Sequence, residues 1–99
     1  MGDRANIVVK DGASKVYLYT HWSGFDLGDT LKEALERGED RWNDGQYLTR
    51  IIFEEMIKED LGSNTGYGIS SVIGDGGEDY VVDVDNQTVN GKSFEEFVA

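Results

Sequence analysis

The stretch ANIVVKDGASKVYLYTHW, residues 5–22, decides how the chain is read. Two strand-forming runs, 5–10 and 15–22, flank Asp11-Gly12, a dipeptide that accepts the positive φ angles of tight turns, so the sequence predicts a β-hairpin. Side chains alternate across a strand, and the second run therefore divides into two rows. Val16, Leu18, Thr20 and Trp22 form a row suited to a core, while Lys15, Tyr17, Tyr19 and His21 form the other. That second row holds two tyrosines and the only histidine of the chain, and something has to lie against it.

Working outward, FDLGDTLKEALERG places Leu27, Leu31, Ala34 and Leu35 on one helical stripe. Asp26 or Asp29 is positioned to cap its first turn, and Gly38 is expected to stop it, tolerating the left-handed conformation. After the turn-rich connector EDRWNDG, the segment QYLTRIIFEEMIKEDLG predicts a longer helix with Leu48, Ile52, Phe53, Met56 and Ile57 as its main stripe, closed by Gly62. Tyr47 and Ile51 lie off that stripe, which suggests contacts on two sides. GYGISSVI and DYVVDVD read as two further strands around the turn GDGGE, and in the last of them Tyr80, Val82 and Val84 face opposite to Asp79, Asp83 and Asp85. Ser93 and Glu96 have the spacing of a capping box for a terminal turn, FEEFVA. The order ββααββ plus a short C-terminal helix predicts one α+β domain over residues 1–99, a two-layer sandwich with two helices on one face of an antiparallel sheet.

Ninety-nine residues, 38% of them apolar, suffice for one core and not for two. Without cysteine the chain can hold no disulfide and no thiolate metal site, which makes a cytoplasmic setting the expectation. No apolar run approaches the ~20 residues of a membrane span, and the amino terminus lacks a stretch of signal-peptide length. The net charge is −11 and unevenly spread: residues 1–50 carry seven Lys and Arg against nine acids, residues 51–99 two against eleven. Such a balance repels nucleic acid and anionic membranes, so neither is expected as a direct partner.

Taken together, GDRANI (2–7), YLYTHWSG (17–24), YLTRIIFEEMI (47–57), TGYGISS (65–71) and DNQTV (85–89) resemble a type of small uncharacterised protein found in bacteriophage and prokaryotic genomes. The resemblance covers most of the chain and implies a compact intracellular protein of viral or prokaryotic origin. It brings with it no activity and no functional residue.

Motifs for chemistry are weak. His21, Ser23 and Asp26 have the residue types of a hydrolytic triad, but three residues within six positions cannot easily set serine and aspartate on opposite imidazole nitrogens, and no nucleophile elbow accompanies them. A hydrolase is therefore the third-placed reading. TGYGISS has its glycines before a strand rather than before a helix and lacks a Walker lysine, so it does not cradle phosphate; Gly66 and Gly68 suit a bulge, or the close approach of a ring such as Trp22. Asp75, Glu78, Asp79, Asp83 and Asp85 are oxygen donors, yet neither Asp83 nor Asp85 opens an EF-hand with glycine in place. No metal and no cofactor is implied.

The aromatic row fits binding better than catalysis. Tyr17, Tyr19 and His21, with Trp22, Arg41, Arg50 and Tyr67, make a candidate set in which rings stack on a base and guanidinium groups hold an anion. The expectation is a non-enzymatic small-ligand-binding protein, a sponge for an anionic nucleotide signal of the sort a phage would use in evading host defence. Two readings compete with it: a homodimer joined through the tyrosine face, and an acidic inhibitor that mimics nucleic acid and binds a basic host protein. For Arg50 the bland reading is a salt bridge with Glu54, and for Trp42 a lid over the core.

Overall fold

The computed structural model describes residues 4–21, 24–72 and 77–99; Trp22, Ser23 and Asp75 lie outside that set. Strands β1 (Ala5–Asp11) and β2 (Ser14–Thr20) pair antiparallel in the register the two rows require, with Ile7 opposite Leu18 and Val8 opposite Tyr17. The turn sits one residue later than the sequence predicts, at Gly12-Ala13, and Gly12 has φ +62°. Ala5 through Val9 are all buried, the pattern of a strand with neighbours on both edges.

Helix α1 (Leu27–Arg37) buries the four residues of its expected stripe, Leu27, Leu31, Ala34 and Leu35. Asp26 occupies the N-cap position without a side-chain capping bond. Gly38 has φ −99°, not a left-handed angle, and its N–H donates to Ala34 O at 2.9 Å. Its need is for room: a Cβ there would stand 3.2 Å from both Ala34 O and Ile51 Cδ1. Helix α2 (Gly45–Ile57) is capped by Asp44, whose side chain accepts from the Tyr47 N–H, and it ends at Ile57 rather than running on to Gly62. Its buried stripe is Leu48, Ile51, Ile52, Glu55 and Met56, with Phe53 and Ile57 half-buried. Trp42 closes over the core as a lid, edge-on to Phe94 at 5.2 Å with its Nε1 donating to Leu35 O at 2.9 Å.

Four further pairings, one of them parallel, correct the expected sheet. β3 (Tyr67–Ser70) and β4 (Tyr80–Asp83) do not form a hairpin with each other. β3 adds antiparallel to β2, whereas β4 adds parallel to β1, with Val9 opposite Val82. β5 (Thr88–Val89) and β6 (Lys92–Ser93) then make a two-residue hairpin beside β4. Its turn is Asn90-Gly91, both with positive φ. The result is an α+β fold with a mixed six-stranded sheet in the order β3-β2-β1-β4-β5-β6 and three helices, the last being α3 (Phe94–Val98). The first hairpin takes the centre, so each later strand must add at a free edge, and β1 and β2 offer one edge each. Ser93 caps α3 as expected, its Oγ accepting from the Glu96 N–H at 3.1 Å.

One apolar cluster joins Ala5, Ile7, Val9, Leu18, Val82, Val84 and Val89 of the sheet region to Leu31, Leu35, Leu48, Ile52 and Phe94 of the helices. Val8 and Tyr17 are buried as well, at 0% and 8% exposure, yet belong to no part of that cluster. They pair across β1 and β2 on the opposite face of the sheet.

Candidate functional site

The tyrosine row is covered at one end and open at the other. Tyr17 Oη donates to Glu78 Oε2 at 3.0 Å. That hydrogen bond, with burial and the carboxylate's charge behind it, raises the phenol above its ordinary range. Beside it, Asn6 Nδ2 donates to Gly77 O at 3.0 Å, and the Asn6 N–H donates to Asp79 Oδ2 at 3.0 Å. The segment Gly77–Asp79, just ahead of β4, is thus tied to the face that the helices' cluster leaves out. Further along, Tyr19 and His21 are half-buried, Tyr19 Oη lying 3.2 Å from His21 Nδ1 and Arg4 Nε donating to the same nitrogen at 3.3 Å. Their rings are tilted, with centroids 6.5 Å apart, so they do not stack as one flat platform.

The other candidates go elsewhere. Tyr67 pairs with Thr20, one residue out of phase with Tyr19, and so projects from the opposite face of the sheet. Arg41 and Arg50 flank the ring of Tyr47, at 4.8 and 6.0 Å from its centre, and Arg50 also forms the expected ion pair with Glu54. Trp22 lies outside the described residues. The structure therefore brings Tyr17, Tyr19 and His21 together and sets Arg41, Arg50 and Tyr67 apart from them.

Four acids of the carboxyl half, Glu78, Asp79, Asp83 and Asp85, are used within the chain. Glu78 and Asp79 hold the second face as described, Asp85 Oδ2 accepts from the Gly12 N–H at 2.9 Å, and Asp83 accepts from Asn86 through both backbone and side chain. These bonds from Asn86 lower the Asp83 carboxyl below the ordinary carboxylate range.

A different group of acids surrounds an open cleft of about 440 Å³ between α1 and the end of α2. Asp26, Asp29 and Glu33 contribute from one side, Glu55, Glu59 and Asp60 from the other, with Thr30, Met56 and Tyr67 completing the wall. Lys58, the single cation of the lining, is committed to Glu55, and this pairing raises the ammonium above its ordinary range. Glu55 is itself buried and also meets Arg37 Nε at 3.3 Å. Among the described residues Asp26 Oδ1 and Asp60 Oδ2 are buried without a hydrogen-bond partner, an arrangement that costs stability unless a donor answers it. The helix stripe positions these acids: Asp29 and Glu33 are a turn apart on the polar side of α1, opposite Leu27, Leu31 and Leu35. In sequence they read as an ordinary solvated face, and nothing local announces that residues 55–60 fold against them. Among the described residues no group of three or more His, Cys, Asp or Glu is placed to hold a metal ion. Tyr17, Tyr19 and His21 line neither this cleft nor the two apolar ones beside α2.

Comparison with known proteins adds no relative: no protein-family model, no curated protein and no solved structure matches the chain. Among the described residues no helix is long and apolar enough to cross a membrane.

Proposed function

We propose that this chain is a non-enzymatic binding protein whose acidic cleft, between α1 and the end of α2, receives a basic segment of a protein partner. The supporting observation is the wall itself: six carboxylates, two with buried oxygens that have no partner among the described residues, against one lysine already paired. Such a surface attracts cations and speeds their approach at low salt. An anionic nucleotide is the weaker reading, because the arginines meant to hold it sit around Tyr47 and the Tyr17 hydroxyl is engaged by a carboxylate. In this reading the helices form one layer over the sheet, with the cleft along that layer.

The test is titration of the chain with a lysine-rich peptide, monitored by calorimetry at low and high salt. Two triple variants that remove equal charge are compared: Asp29→Asn, Glu33→Gln and Glu59→Gln in the cleft, and Asp83→Asn, Asp85→Asn and Glu95→Gln away from it. The cleft variant is expected to lose binding by about tenfold or more and the other to lose little. Equal losses would show that only net charge is being read, and would refute the cleft as a site.

A further inference from the structure

The two ends of the sheet are protected unequally. β6, at one end, is two residues long, carries Lys92 and runs directly into α3. β3, at the other end, is four residues long, and residues 65–72, TGYGISSV, contain no charge and no proline. Natural edge strands are ordinarily blunted by such residues, because an exposed edge is a template for another strand. Ile69 on this strand is 61% exposed, and Val72 just beyond it is 68% exposed.

The backbone of the edge is oriented for pairing. Gly66 O accepts from the His21 N–H at 2.8 Å, so Gly66 faces β2's side of the ladder. By antiparallel alternation Gly68 faces Tyr19, and the N–H and C=O of Ile69 point away from β2. Beside Ile69 runs a groove of about 430 Å³ whose floor is Phe53 and Ile57 of α2, with Gln46, Thr49, Arg50 and Glu54 along its rim.

We infer that this edge is a self-pairing surface: β3 joins β3 of a second copy antiparallel about a two-fold axis at Ile69, extending the sheet across two chains. An outward-facing residue on such an axis exchanges both N–H···O=C bonds with its own counterpart, and the two Ile69 side chains meet over the groove. Charge admits this occupant here. On a chain of net charge −11, the groove is locally neutral, because its one arginine and one glutamate are paired with each other, so two copies meet along it without the repulsion the rest of the acidic surface would impose. A second acidic copy is repelled by the cleft of α1 and α2 but not by this edge. The pairing also differs from a dimer through the Tyr17 face, which Glu78 already covers.

The experiment is sedimentation of the full chain over a wide concentration range, with amide hydrogen exchange at Ile69. Wild type is expected to move from 11.0 kDa to twice that mass, with Ile69 exchange slowing in step. Ile69→Lys places two like charges on the axis and is expected to stay monomeric, with unchanged circular dichroism because the residue is exposed. Should that variant misfold, Arg50→Glu provides a second arm: it weakens association by roughly tenfold or more, and adding Glu54→Arg restores it. A wild type that stays monomeric throughout, or a dimer that survives Ile69→Lys, overturns the inference. So does a monomer whose Ile69 amide is protected only on adding an extended apolar peptide, which would give the edge to a foreign strand.

Discussion

The two faces of the central hairpin are held by different physics. On one, Ile7, Val9 and Leu18 are packed into a cluster with Leu31, Leu48 and Ile52, a face made almost wholly of hydrocarbon. On the other, Asn6, Val8 and Tyr17 are just as buried, but Asn6 and Tyr17 are fixed by hydrogen bonds to Gly77, Glu78 and Asp79, two of them to carboxylates. Apolar packing is non-directional and indifferent to pH, whereas a bond to a carboxylate depends on geometry and on protonation. The same seven-residue strands therefore support a face that resists change by bulk and a face that answers to solution conditions.

Breaking the apolar face should cost most. Leu18→Ala removes a fully buried side chain at the middle of the cluster, and ~2–5 kcal/mol of unfolding free energy should be lost in urea denaturation. Asn6→Ala tests the other face at the same depth, since Asn6 pairs with Tyr19 where Ile7 pairs with Leu18. It removes the donor to Gly77 O and should cost ~1–3 kcal/mol, less than Leu18→Ala. If Asn6→Ala proves the more damaging, the second face is not the lesser support described above.

A finer test probes how closely α1 fits against β4. A Cβ at Gly28 in α1 would lie 2.6 Å from Tyr80 Oη and 3.3 Å from Tyr80 Cζ. Gly28→Ala gains helix propensity but forces that hydroxyl aside, so it should destabilise by ~1 kcal/mol. In a Tyr80→Phe background the nearest atom is gone, and the double variant should recover most of the loss. Equal effects in both backgrounds would show that the contact is not what excludes alanine.

These contrasts also mark what sequence could convey. The first hairpin, the α1 stripe and the Ser93 cap follow from residues within a few positions of one another, and they form as those residues dictate. The parallel union of β1 with β4 joins Ile7 to Tyr80, and no local pattern distinguishes that partner from an antiparallel one. Asn90-Gly91 carries a local hairpin signal, yet its flanking strands are two residues each, too short to show alternation. The existence of a second buried face was legible in Tyr17 and Tyr19. Its cover was not, because Glu78 lies 61 positions from Tyr17 and Asp79 lies 73 from Asn6. The acidic cleft is hidden for a similar reason: the polar side of α1 and residues 55–60 at and beyond the end of α2 are separate surfaces until the fold opposes them.

The smallest expected effect is the most diagnostic of the two faces. Tyr17 donates to Glu78, which raises its folded-state value above the ~10 of an unfolded tyrosine. A group raised in this way contributes its full stability below the unfolded value and loses it as pH climbs through the folded one. Lys58, raised by Glu55, behaves with the same sign, while Asp83, lowered by Asn86, contributes above ~3.9 and loses its part as pH falls. Melting temperatures of wild type and Tyr17→Phe, measured from neutral to strongly alkaline pH, separate these groups. The variant should melt slightly lower at neutral pH, the gap should close above pH ~10, and the acid limb assigned to Asp83 should be unchanged. Leu18→Ala, by contrast, should melt lower by a nearly constant interval across the same range. A constant interval for Tyr17→Phe as well would mean that its hydroxyl adds only bulk, and the two faces would then be held in the same way after all.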